Sequence, residues 1–197
     1  MHQVIMSGKT SKSGNLLSIN AYAPNDKELN VIIETPKGNR NKFNYDAEYN
    51  LFKLGGVLPL GAVFPFDFGF IPSTLGDDGD PLDVLLLMDE PAFPGCLVEA
   101  RLVAVIEAKQ TERDGAATRN DRLIAVAADS RTHKAVRTLS DLNDIFMDEV
   151  EHFFISYNQM KGKKFEPLGR FGHIKAAELV EDGMKRFKKK KQKHRKS

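Results

Sequence analysis

Cysteine is almost absent from this chain: Cys96 stands alone among 197 residues. One thiol can close no internal disulfide and build no cysteine-based zinc site. Long apolar runs are missing too. The aliphatic stretches, Val84 to Met88 among them, fall far short of the ~20 residues that cross a bilayer as a helix. The opening segment MHQVIMSGKTSKSGN has no apolar core of the kind a secretory signal needs. These absences lead us to expect a cytoplasmic chain with no membrane span. The most telling absence is one of charge. From Leu54 through Ala100 there is no Lys, Arg or His, while Asp67, Asp77, Asp78, Asp80, Asp83, Asp89, Glu90 and Glu99 all fall in that span.

Basic charge gathers at the other end. Residues 185–196, KRFKKKKQKHRK, hold nine Lys or Arg and no acid, and setting them aside leaves 20 basic against 27 acidic residues. The expectation is one acidic domain over 1–184 and a basic tail over 185–197, disordered or a frayed helix end. An acidic body does not suit nucleic acid, whose binding rests on neutralising phosphates. The tail could touch a polyanion, but only Phe187 interrupts it and no stacking platform accompanies it.

Between residues 30 and 128 the pattern is mostly strand. NVIIET (30–35), KFNYD (42–46), LDVLLLM (82–88), CLVEARLVAVIEA (96–108) and DRLIAVAA (121–128) are short apolar or β-branched runs, separated by Gly and Pro. Phe64, Phe66, Phe68 and Phe70 alternate as a half-buried strand does. The polar segment 108–121 reads as a hairpin tip. Beyond it the period becomes helical: Phe146, Val150, Phe153, Phe154, Tyr157 and Met160 share a face. Ser140 is placed to cap that helix and Gly162 to end it. A second helix should cover HIKAAELVEDGMKRF. Strands followed by helices predict an α+β fold, a compact antiparallel sheet or barrel with helices on one side.

The stretch TLGDDGDPLDVLLLM sets Asp78, Asp80 and Asp83 in a D-x-D-x-x-D pattern at the head of an apolar strand. Two carboxylates about 4 Å apart repel by roughly 4 kcal/mol at an effective dielectric of about 20. Gly79 and Pro81 favour a bend over a regular strand, and a bend would let the three carboxylates converge. Oxygen-only ligands select a hard cation, Mg²⁺ or Mn²⁺, ahead of zinc. An EF-hand loop would need Gly at its sixth position and Glu at its twelfth; counted from Asp78 these are Asp83 and Asp89. The plainer alternative is a solvated turn built from ordinary turn residues.

DGDPLDV matches the D-x-D-P-hydrophobic-D-hydrophobic signature of the single-domain, magnesium-dependent inorganic pyrophosphatases. VIIETP, PFDFGFIPSTLGDDGDPLDVLLL, PGCLVEARLVAVIEA, DRLIAVA and HFFISYNQMKGK resemble that family's blocks in order, over roughly residues 30–165. The resemblance implies a small OB-like barrel of five antiparallel strands with flanking C-terminal helices. It also implies several Mg²⁺ ions, pyrophosphate as substrate and a homo-oligomer. Carried across by position, Asp78 and Asp83 would ligate metal, and Asp80 would also take the proton of the attacking water. Glu34 would orient water around an outer metal. Glu112 stands where the family has an Asp ligand, and Arg122 where it has Lys. Lys42, Arg122 and Tyr157 would contact phosphate.

The chain departs from the family in the substrate shell. Gly56 falls near an expected Arg, Phe64 and Phe68 replace tyrosines, Asn44 replaces Glu, and Asn158 replaces Lys. An expected Asp ligand falls on Asn120, unless a shift of one residue gives Asp121 the role. Arg40, Lys53, Arg119, Arg131, Lys161 and Lys163 are the cations available to refill the clamp. These departures leave room for a different phosphoanhydride, or for a weakly active or non-catalytic polyanion binder.

Overall fold

Runs of valine, isoleucine and leucine become strands here wherever both faces of the backbone are covered. In the computed structural model, residues 14–24 and 27–194 are described. The strands are β1 (Leu29–Thr35), β2 (Asn41–Asp46), β3 (Leu51–Val57), β4 (Asp67–Ile71), β5 (Leu82–Leu87), β6 (Leu97–Thr111), β7 (Ala117–Arg119), β8 (Arg122–Ala127) and β9 (Lys164–Gly172). Helix α1 (Asp144–Met160) precedes β9, and α2 (His173–His194) follows it.

Five strands close a ring in the order β1-β4-β5-β8-β6, with β6 returning to β1. The fold is the OB-like α+β barrel that the resemblance implied, with one difference in its seams. β5 and β8 run parallel, Val84 opposite Leu123 and Leu87 opposite Val126. A parallel neighbour needs a long crossover, and here β6 with its β7 hairpin supplies it. The fifteen residues of β6 serve four partners, β1, β8, β7 and β9. β2 and β3 form a separate two-stranded ribbon.

Successive strand residues face opposite ways, so each strand feeds two cores. Leu85, Leu87, Ile124 and Val126 pack with Phe64, Phe68, Met147, Val150 and Phe154 beneath α1. Val84, Leu86, Leu123 and Ala125 pack with Val31, Ile33 and Ile71, closed by Ala176 and Val180 of α2. Full burial of a large apolar side chain contributes about 1.5–3 kcal/mol, which explains why β5 and β8 are apolar without alternation.

The expected strand through Phe64 starts only at Asp67, and all five residues of β4 are buried. Helix α1 begins later than expected. Asn143 caps it, its Oδ1 accepting from the Ile145 N–H at 2.8 Å, while Ser140 lies in a short 3-10 turn, Leu139–Asp141. Gly162 follows α1 at φ +71°, a left-handed conformation that suits glycine. The basic stretch expected to be disordered or frayed is instead helical to His194, with 195–197 outside the described residues. Lys and Arg are good helix formers. Arg186 also ties that end down, donating to the Leu75 carbonyl at 2.7 Å. Among the described residues no helix is long and apolar enough to cross a membrane.

Candidate active site

β4 ends at Ile71 and β5 begins at Leu82, so the chain must turn back sharply between them. Thr74 staples the turn: its Oγ1 donates to the Ile71 carbonyl at 2.6 Å and accepts from the Leu82 N–H at 3.0 Å. Inside, the Gly76 N–H donates to the Asp80 carbonyl at 2.7 Å, and the Asp80 N–H donates to Asp78 Oδ1 at 3.1 Å. Gly79 stands at φ +93°, which a side chain would strain. The result places Asp78, Asp80 and Asp83 along one cleft of about 740 Å³. Glu34, Lys42, Glu112, Arg122, Tyr157, Lys161 and Lys163 line the same cleft.

The outer carboxylates are each drawn to a cation. Glu34 pairs with Lys42 at 2.9 Å, Asp83 with Arg122 at 2.5 Å and Glu112 with Lys163 at 2.7 Å. Among the described residues no ion pair reaches Asp78 or Asp80. Burial raises the Asp78 carboxyl to about 6, with Asp83 and Asp80 adding to the rise. Burial and then Asp83 push Asp80 up as well, against the fields of Lys190, Lys163 and Lys42. Glu34 is also raised by burial despite Lys42. On the opposite wall, burial lowers the Lys161 ammonium, and Lys42 and Lys163 lower it further. Lys161 bonds the Tyr157 hydroxyl, whose pKa is pushed up to about 12, chiefly by burial. Mutually repelling lysines make an anion site; mutually repelling carboxylates make a cation site.

The expected convergence of three carboxylates is only partly met. They share the cleft, yet among the described residues no three acidic or histidine groups stand close enough to grip one ion. Arg122 holds Asp83 aside. The donor set still suits a hard divalent cation. It offers only oxygen, and a positive charge between Asp78 and Asp80 would relieve what raises them.

Asp121 is the one expected site residue that the cleft does not receive. Its Oδ1 accepts from the Ala108 N–H at 2.9 Å and from Arg119 Nε at 2.7 Å, while Asn120 lines the cleft and bonds Arg122. Strand alternation explains this, since residues 120 and 122 share a face and 121 takes the other. Four of the proposed replacement cations lie elsewhere. Arg40 donates to the Leu58 carbonyl, Lys53 pairs with Asp46, Arg119 joins Glu107 to Asp121, and the Arg131 backbone binds Asp89. Phe68 has a use the sequence reading missed: its ring lies 4.4 Å from Lys42 Nζ, a cation–π contact. Gln110 was missed as well. It lines the cleft, donates to Glu112 at 2.6 Å and accepts from Asn120 at 3.3 Å. The period-two step from Glu112 was the signal that could have found it.

Oxygen donors for a hard cation facing a cluster of lysines, on an OB-like barrel, define a hydrolase that acts on phosphate anions. A sequence model of the family described as inorganic pyrophosphatase matches residues 31–188, and the chain belongs to that family. It is 39% identical over 160 residues to the inorganic pyrophosphatase of a Synechocystis species, covering 81% of this chain and 92% of that one. The Corynebacterium efficiens inorganic pyrophosphatase is 37% identical, with 81% and 98% covered. Among solved structures, the Thermus thermophilus inorganic pyrophosphatase superposes with a TM-score of 0.80 at 33% identity, over 89% of this chain and 99% of that one. The Neisseria gonorrhoeae inorganic pyrophosphatase gives 0.78 at 29%, over 88% and 99%.

Proposed function

We propose that the cleft hydrolyses inorganic pyrophosphate to two phosphates. Asp78, Asp80 and Asp83, with Glu34 and Glu112 further out, would hold several Mg²⁺ ions, for which Mn²⁺ could substitute. When bound, such ions neutralise the substrate and lower the pKa of a water toward neutrality. Asp80 takes the proton of the attacking water as its oxygen bonds one phosphorus and the bridging P–O bond breaks. Burial and Asp83 raise the Asp80 carboxyl, which moves it toward the range where a general base works best. Lys42, Arg122, Lys161 and Lys163 hold phosphate oxygens and stabilise the charge that develops on the leaving group. Tyr157, protonated at any working pH, donates its hydroxyl. Family membership supports a homo-oligomer, and assembly would cover the exposed apolar side chains Leu168, Phe171 and Ile174. A cytoplasmic location belongs to the same proposal.

One observation carries this reading: two carboxylates with no ion pair among the described residues share one cleft with a cluster of lysines. The test is phosphate release from pyrophosphate with and without Mg²⁺, in wild type and Asp80→Asn. Metal-dependent release that falls about 10²–10⁴-fold in the variant is expected; no metal-dependent release from wild type overturns the proposal. A second reading, hydrolysis of another phosphoanhydride, is favoured by the neutral Asn44, Asn120 and Asn158 in the cleft wall. Comparing turnover of pyrophosphate, tripolyphosphate and nucleoside triphosphates separates the two.

A further inference from the structure

One line of hydrogen bonds runs along the cleft wall from strand to strand and joins two of its carboxylates. It starts at Glu112, just past β6, which Lys163 holds at 2.7 Å. Gln110 Nε2 donates to Glu112 Oε1 at 2.6 Å, and Gln110 Oε1 accepts from Asn120 Nδ2 at 3.3 Å. Asn120 Oδ1 in turn accepts from Arg122 Nη1, which also donates to Asp83 Oδ2 at 2.5 Å. All six residues line the cleft.

The ends of this line fix its middle. A carboxylate only accepts and a guanidinium only donates, whereas a side-chain amide accepts at one end and donates at the other. Glu112 therefore takes the NH₂ of Gln110, which turns the Gln110 oxygen toward Asn120. Asn120 must then give its NH₂ to Gln110 and its oxygen to Arg122. Reversing either amide sets donor against donor or acceptor against acceptor. Water does little to repair such a mismatch, since Gln110 is 7% exposed and Arg122 only 4%. A buried cation is costly unless its bonds are met, and Arg122 Nε already has no partner among the described residues.

We propose that Gln110 is a positioning residue for Arg122: by fixing which end of Asn120 faces the guanidinium, it keeps Arg122 in place to bind a phosphate oxygen. This rests on the reading of the cleft as a pyrophosphatase site in which Arg122 contacts phosphate. Without Gln110, Asn120 is free to turn its NH₂ toward Arg122 and push the cation away.

The experiment compares wild type, Gln110→Met and Gln110→Lys, and repeats both changes on Arg122→Met, whose side chain can still lie against the Phe154 and Phe165 rings. It reads kcat/KM for pyrophosphate at saturating Mg²⁺, and calorimetric binding of methylenediphosphonate, which cannot be hydrolysed. Gln110→Met should lower both by about fivefold, the effect of one lost hydrogen bond. Gln110→Lys should lower them at least as far. A lysine donates but cannot accept, so it draws the Asn120 oxygen to itself and leaves the NH₂ facing Arg122. A general field would instead tighten anion binding when a positive charge is added. On Arg122→Met neither change should cost further analogue affinity. Unchanged kcat/KM and analogue affinity in Gln110→Met overturn the inference. So does tighter binding in Gln110→Lys, or an equal loss on Arg122→Met, the mark of a merely structural role. If wild type splits no pyrophosphate, the function proposal has failed instead, and the analogue arm still decides whether Gln110 acts through Arg122. A wild type that also binds no analogue overturns both.

Discussion

The turn between β4 and β5 and the hairpin between β6 and β7 both gather carboxylates beside the cleft, and they treat them oppositely. In and beside the hairpin Glu107, Glu112 and Asp121 each have a cation. Arg119 joins Glu107 to Asp121, and Lys163 holds Glu112 at 2.7 Å. Lys163, helped by Gln110, keeps the Glu112 carboxyl below its ordinary range. In the β4–β5 turn, Asp78 and Asp80 share space with each other and with Asp83, and both are raised. The hairpin acids have their charge answered within the chain and hold a shape. Asp78 and Asp80 have no such partner among the described residues, and in the proposed function a divalent cation would answer them.

That contrast can be broken by experiment. The largest expected effect in it is at Asp78: Asp78→Asn should weaken the Mg²⁺ dependence of activity by about a hundredfold, with no loss of thermal stability in the metal-free protein. Next is Asp121→Ala, which strands the buried Ala108 N–H. An unsatisfied buried donor costs about 1–3 kcal/mol, a drop of some degrees in Tm for a domain of this size. Its kcat/KM should stay within about twofold, and a collapse of activity would erase the distinction between the two regions. Glu112→Gln should move KM by only a few-fold, since it loosens Lys163 without removing it.

The smallest effect concerns a carboxylate far from the cleft. The Thr132 side chain, the Arg131 and Thr132 N–H groups at 2.8 Å and Ser130 Oγ at 3.2 Å hold the Asp89 carboxyl well below the ordinary range. A depressed carboxyl stabilises the fold above its unfolded pKa and loses that contribution as pH falls. The Tm difference between wild type and Asp89→Ala should therefore be full at pH 7 and shrink below about pH 4.

The sequence showed most clearly what lies within one short segment. β1, β5, β8 and the middle of β6 were legible because both of their faces are covered there, which leaves runs of apolar residues. β3 and β9 were not. β3 pairs only with β2 and contains Gly55-Gly56, and β9 carries Pro167 and Gly169 beside a bulge opposite Glu107 and Ala108, features that weaken a strand signal. The acidic turn stood out because its three aspartates are neighbours in the chain. The Asp83–Arg122 pair joins different strands and left no local trace. Placing Asn120 rather than Asp121 in the cleft needed only the alternation rule, applied from Arg122. The extent of α2 was missed because a run of lysines reads as solvated whether or not it is helical.

The parallel seam has a consequence for how the protein comes into being. It joins Val84 to Leu123, and the closing seam joins Leu29 to Ala100, so no local stretch of chain can complete the barrel. Such distant pairings make folding slow. During synthesis the aspartates emerge well before the strand that brings Arg122 beside them. A half-made chain therefore carries the acidic turn without its cleft, and catalytic competence arrives late, as the ring shuts.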